Sequence, residues 1–324
     1  MSLVGALHNE AKMEDPVDLS VQLAPKNNTG LRLANPVMTA SGTFGYGTEY
    51  QHLFDIQDLG AMVCKGTTYE PRPGNPQPRI AETPSGILNA IGLQNIGVKA
   101  LIKEKAPLWA KWKVPVIVNI AGSSVEEYAW IARDLDGVPG VSGLEVNISC
   151  PNVQAGCAEF GADPASAARV TAAVRKASAL PIWVKLTPNT ADVVSIALAV
   201  AEAGADAIVL INTLKGMAID IKTRRPVLGN ITGGLSGPAI KPVALRMVYE
   251  VASALKDVPL IGSGGIMTGD DALEFIIAGA SAVQLGTANL IDPRAPAQVL
   301  SGIRTYLRQA KIANIKDVIG AAHQ

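Results

Sequence analysis

Apolar residues fall along this chain in short, nearly unbroken runs that alternate with amphipathic stretches. Eight of the runs predict strands, at 36–41, 61–66, 114–122, 143–150, 181–188, 205–213, 258–265 and 282–288. Such continuous apolar character suits parallel strands covered on both faces, and the alternation with helical stretches suits repeated βα units. Between the runs the period becomes helical: Ile240, Val243, Ala244, Met247, Val248, Val251 and Leu255 recur at steps of three and four, a stripe that should pack against the outside of the sheet. Helix starts are marked at Ser124-Val125-Glu126-Glu127 and Thr268-Gly269-Asp270-Asp271, which resemble capping boxes, and at Pro238.

Eight βα units in 324 residues predict an α/β fold of the (β/α)8 TIM barrel class, whose usual size is ~250 residues plus extensions. Residues 1–25 read as a short N-terminal arm, 26–310 as the barrel and 311–324 as a C-terminal tail. Repeats, low-complexity tracts and dividing linkers are not visible.

Charge narrows the possible partners. Lys plus Arg number 28 against 28 Asp plus Glu, so no net basic field favours nucleic acid or an anionic membrane surface. The N-terminal stretch lacks a basic start followed by an apolar core, and no run approaches the ~20 apolar residues of a membrane span; the expected location is cytoplasmic. Cys64, Cys150 and Cys157, with His8, His52 and His323, have no paired-ligand spacing, so no metal site is expected.

The chemistry of a barrel of this class sits at the carboxyl ends of its strands. Those ends carry Ser41-Gly42, Lys65-Gly66, Asn119, Asn147 to Asn152, Lys185, Asn212-Thr213, Gly264-Gly265 and Gly286-Thr287. Two lysines, several amides and one thiol therefore converge, without histidines or a carboxylate pair. Glycosidase and metallohydrolase chemistry are disfavoured, whereas amides and lysines suit a planar, anionic, imide-like molecule such as a flavin or a pyrimidine. The glycines after strands seven and eight suit close approach of backbone N–H groups to a phosphate, although tight turns alone would also use them. Neither a P-loop nor a dinucleotide fingerprint is present.

Cys150 closes strand four and opens a loop, 153–163, whose Gly156 and Gly161 suit a lid. Cys157 reads as a tolerated thiol in that lid, and Cys64 as a packing residue. Lysines at 65 and 185 in apolar surroundings call for an anionic partner, though either alone could snorkel to the rim. Asn89 could equally cap a turn. Lys185 as a Schiff-base amine of a barrel lyase is a separate possibility that these residues leave open.

The segments Ser41-Gly42-Thr43-Phe44-Gly45, Cys64-Lys65-Gly66-Thr67-Thr68, Asn89 to Asn95, Asn147-Ile148-Ser149-Cys150-Pro151-Asn152, Ile211-Asn212-Thr213-Leu214, Thr232 to Pro238 and Gly262-Ser263-Gly264-Gly265 resemble, in that order, dihydroorotate dehydrogenases. The likeness runs from about residue 25 to 305. It implies FMN-dependent oxidation of (S)-dihydroorotate to orotate in pyrimidine (UMP) biosynthesis, with Cys150 as the base. A cysteine base is similar to the soluble class, and the wording around Asn89 to Asn95 is closest to the catalytic subunit of the NAD-linked heteromeric form. That form implies a homodimer within a heterotetramer whose electron-transfer subunit carries FAD and an iron–sulfur cluster. A fumarate-linked homodimer and a flavoprotein for another dihydropyrimidine are the alternatives.

By the same resemblance FMN would contact Ser41, Lys65, Gly66, Asn119, Asn147, Lys185, Ile211, Gly237, Gly264, Gly265, Gly286 and Thr287. Substrate would contact Lys65, Asn89, Ala90, Ile91, Gly92, Leu93, Asn147, Asn152, Asn212 and Thr213. Cys150 and Lys185 would be catalytic.

Overall fold

A computed structural model describes residues 17–148 and 160–324. Eight parallel strands form one sheet: β1 (Val37–Thr39), β2 (Met62–Val63), β3 (Val116–Ile120), β4 (Gly143–Asn147), β5 (Ile182–Lys185), β6 (Ala207–Leu210), β7 (Leu260–Ser263) and β8 (Ala280–Leu285). Each pairs with its neighbours in chain order, β8 returns to β1, and a parallel bridge between Met38 and Ala61 joins β1 to β2. The sheet is thus a closed barrel, as the apolar runs predict. Seven of the runs contain a whole strand, shorter than expected, and β8 begins two residues ahead of its run at Ala280.

Helices cover the outside: α1 (Val98–Glu104), α2 (Val125–Leu135), α3 (Pro164–Ala177), α4 (Val193–Glu202), α5 (Lys241–Ala254), α6 (Gly269–Ile277) and α7 (Ala295–Gln309). On α5 the predicted stripe faces inward, with Ala244, Met247, Val248 and Val251 buried and Val243 and Leu255 packed at its margin. The capping box at α6 is complete: Thr268 Oγ1 accepts from Asp271 N, and the Asp271 carboxylate accepts from Thr268 N. At α2 only half forms. Ser124 Oγ accepts from Glu127 N, but the Glu127 carboxylate accepts from Ser123 N at 2.7 Å and Tyr69 N at 3.4 Å, tying two mouth loops together instead.

Two parts depart from a regular eightfold repeat. Between β1 and β2 the connection holds only a 3-10 turn, Ile56–Asp58, in place of a helix. Above the mouth, strands Ile80–Thr83, Gly86–Asn89, Leu214–Met217 and Thr232–Ser236 form a separate antiparallel sheet.

Val17, Leu19, Val21, Leu23 and Ala24 are buried in the main core, and Val21–Gln22 pairs with Arg32–Leu33. In the tail, Ile315 and Val318 are likewise buried, and Asp18 bridges to Asn314. Both chain ends therefore plug the barrel's amino-terminal side as far as they are described. Among the described residues no helix is long and apolar enough to cross a membrane.

Candidate active site

Side chains alternate in direction along a strand, so residues two apart on β4 share a face. Glu145 and Asn147 point into the barrel, as do Asn119 on β3, Lys185 on β5 and Gln284 on β8, because these side chains bond to one another across the interior. Lys185 is 4% exposed and Glu145 0%. Above this floor lies one cavity, lined from below by Asn119, Asn147 and Lys185 and from the side by Lys65, Gly66, Ile211 and Asn212. The antiparallel sheet roofs it with Ile80, Ile87, Asn89 and Ser236.

All the positions expected to touch the flavin line this cavity. So do Lys65, Asn89, Ile91, Gly92, Leu93, Asn147, Asn212 and Thr213 of the expected substrate set. Ala90 does not; its side chain is fully buried with Leu88 and Leu228 in a small second core on the other face of the roof. Period-two alternation explains the difference, since Asn89 and Ile91 face the cavity from either side of it. Cys150, Asn152, Cys157 and most of the expected lid lie outside the described residues.

The amides are held in fixed orientations. Asn212 Nδ2 donates to Asn147 Oδ1 at 3.3 Å, Asn89 Nδ2 donates to Gly234 O at 3.2 Å, and Tyr128 Oη donates to Asn147 O at 2.7 Å. Asn189, which the sequence did not single out, donates to Thr213 O and accepts from Lys215 N, so it fixes the loop that presents Asn212 and Thr213. Close approach explains the glycines of the roof: an ideal Cβ on Gly234 would lie 1.9 Å from Thr213 Oγ1 and one on Gly233 2.5 Å from Asn89 O. Leu93 holds φ 55 in the cavity wall, a left-handed conformation costing a residue with a Cβ roughly 1–2 kcal/mol.

Electrostatics divide the groups. Burial holds the Lys65 ammonium below the usual lysine range, with Arg79 adding to the shift and Glu49 opposing it. Burial also pushes the Cys64 thiol up to about 12, so Cys64 is neutral at ordinary pH and belongs to the packing, as expected.

Whether a flavin fits can be judged from two features. Asn119 Oδ1 is buried and has no hydrogen-bond partner among the described residues, while its Nδ2 donates to Glu145; an orphaned acceptor at a cavity wall requires a donor, and the imide N–H of a flavin is one. The glycines give a mixed answer. A Cβ on Gly264 would lie 2.8 Å from Ala244 Cβ, and one on Gly265 2.8 Å from Lys241 Cβ, so the turn itself demands both. At Gly286 the nearest atoms would be 3.7 Å away; the chain has room there for a side chain and leaves that space to the cavity.

The family model for dihydroorotate dehydrogenase matches residues 23–307. The chain belongs to the dihydroorotate dehydrogenase family. It is accordingly an oxidoreductase, on the TIM barrel of that family. Relatives named as the catalytic subunit of dihydroorotate dehydrogenase B (NAD(+)) include one from Pelobacter propionicus, 59% identical over 94% of this chain and 98% of its own length. Another, from Geotalea uraniireducens, is 57% identical with the same coverage, and one from Desulforudis audaxviator is 57% identical over 91% of this chain and 96% of its own. What sequence reading missed in this dihydroorotate dehydrogenase site is the layer under the mouth, Glu145 and Gln284. Their signal was two polar residues inside otherwise apolar strands, Glu145 in register with Asn147.

Proposed function

We propose that this chain is an FMN-dependent catalyst of (S)-dihydroorotate oxidation to orotate in pyrimidine biosynthesis, acting in the cytoplasm. Electrons leave for NAD through a partner subunit that carries FAD and an iron–sulfur cluster, in a heterotetramer built on a dimer of this chain. The observation that carries the reading is the buried Asn119 Oδ1, without a partner among the described residues, beside two inward lysines and a set of oriented amides, in a chain of this family. The NAD-linked arrangement is supported by the names of the relatives.

Bound FMN supplies the acceptor for the hydrogen and electron pair that leave C6 of the substrate. It would be held by Ser41, Lys65, Gly66, Asn119, Asn147, Lys185, Ile211 and Gly237, with Gly264, Gly265, Gly286 and Thr287 around its phosphate. Lys185 contributes a fixed cation from the floor, which favours negative charge developing above it. Asn89, Asn147, Asn212 and Thr213, with Asn152, offer donors and acceptors to the edges of a pyrimidine, so a molecule lacking those groups leaves buried amides unpaired and is rejected. Lys65 provides the cation for the carboxylate. Cys150, which lies outside the described residues, removes the C5 proton as a general base.

The Schiff-base reading loses ground to the structure, because the Lys185 Nζ stands 3.6 Å from Glu145 Oε1, and a paired ammonium is a poor nucleophile. The test is anaerobic addition of dihydroorotate to the purified yellow protein. The flavin absorbance should bleach, NAD alone should leave it bleached, and NAD with the electron-transfer subunit should restore it. A flavin that stays oxidised would overturn the proposal, and recovery with NAD alone would overturn the partner.

A further inference from the structure

Glu145 is a charge that the reaction above does not use. Its carboxylate is fully buried in the barrel interior, where Asn119 Nδ2 donates to Oε1 at 2.7 Å and Gln284 Nε2 donates to Oε2 at 2.5 Å. Lys185 Nζ stands 3.6 Å from Oε1 and donates to Gln284 Oε1 at 3.1 Å. Four strands, β3, β4, β5 and β8, thus contribute one side chain each to a closed polar layer. Lys185 and Asn119 reach the cavity, whereas Glu145 and Gln284 do not line it, so the carboxylate sits behind the ammonium as seen from the cavity.

Stability alone gives little reason for this arrangement. Desolvating two charges offsets most of their attraction, and apolar replacements of buried ion pairs are often as stable or more so. Electrostatics at the cavity give a better one. A lone buried ammonium projects a full positive charge into a low-dielectric space, whereas an ammonium backed by a carboxylate projects a dipole whose field falls off faster. Cys64, which feels the Glu145 charge, is neutral at ordinary pH and does not change this balance.

We propose that Glu145 is a positioning residue for Lys185: it holds the ammonium aimed into the cavity and offsets part of its field there. The flavin then meets a strong hydrogen-bond donor that carries less net charge than a free lysine would bring. The consequence is a reduced flavin that releases its electrons more readily, which suits a chain whose electrons must leave for a separate acceptor. This inference rests on the reading that a flavin occupies the cavity.

The test is the flavin midpoint potential of holoenzyme, measured by anaerobic reductive titration against a reference dye, together with FMN content. Glu145→Gln should retain FMN and shift the potential in the positive direction, Lys185→Met should shift it negatively, and the double variant should fall between them. A purely structural Glu145 would leave the potential where it is. If Glu145→Gln does not fold, Glu145→Asp retracts the charge from Lys185 by one methylene and should give a smaller positive shift. An unchanged or negative shift in whichever Glu145 variant retains FMN overturns the inference, whereas wild-type protein that binds no FMN overturns the reading of the cavity itself.

Discussion

Cys150→Ala should retain FMN yet be reduced by dihydroorotate on the order of 10²–10⁴-fold more slowly than the wild type, the usual contribution of a positioned general base. Orotate affinity should change little, because the thiol acts on a proton and not on the groups that grip the ring. The direction with pH follows from the thiol's chemistry. The reactive form is the thiolate, whose ordinary pKa is ~8.5, so the wild-type reduction rate should rise as pH passes from neutral towards that value. The Ala variant should lose that rise. Stopped-flow measurement of flavin bleaching gives both quantities, and a variant reduced at the wild-type rate would remove Cys150 from the mechanism.

The second large effect is expected at Lys65. Removing one partner of a buried charge pair costs about 2–5 kcal/mol, so Lys65→Met should lower kcat/KM for dihydroorotate by roughly 30- to 4,000-fold. A dihydropyrimidine without a carboxylate should lose much less. A pH dependence accompanies it. Burial lowers the pKa of this ammonium, and a bound carboxylate favours the charged form, so affinity is complete where Lys65 is protonated and declines as pH rises through its depressed pKa. Orotate titrations, followed by the flavin spectrum, should therefore weaken on the alkaline side below the ordinary lysine value of ~10.4. Affinity that stays flat to that point, or an equal loss for both substrates in Lys65→Met, would show that Lys65 does not hold the carboxylate. The two groups pull in opposite directions, with chemistry gaining and binding losing as pH rises, so kcat/KM should pass through a maximum.

The barrel was legible because burial on both faces leaves an unmistakable trace. Runs such as Val116–Ile120 and Ala207–Leu210 are apolar at nearly every position, and the polar residue that follows or ends each run marks the mouth. Lys65, Asn119, Lys185 and Asn212 could be picked out on that ground alone. The roof was not legible for the converse reason. Thr232–Ser236 is a strand that carries two adjacent glycines, and glycine normally weakens a strand; only the close passage of Thr213 and Asn89 explains why this one tolerates them. Ala90 turns its side chain away from the cavity that its neighbours Asn89 and Ile91 line, an alternation of the strand end that a contiguous motif hides. Glu145 and Gln284 lie inside their strands, away from the ends where a barrel's chemistry is expected, although the spacing of Glu145 and Asn147 places both on one face. The glycines at 264 and 265 show the limit of motif reading from the other side, since the turn demands them whether or not a phosphate binds there.

The most direct measurement of the central claim is a crystal structure of the chain grown with FMN and orotate. The account predicts the flavin imide within hydrogen-bonding distance of Asn119 Oδ1, its pyrimidine edge beside Lys185, and orotate stacked on it within reach of Asn89, Asn147 and Asn212, with the Cys150 sulfur on the far side of the ring. A flavin found elsewhere, or an orotate whose free face does not meet Cys150, would contradict it.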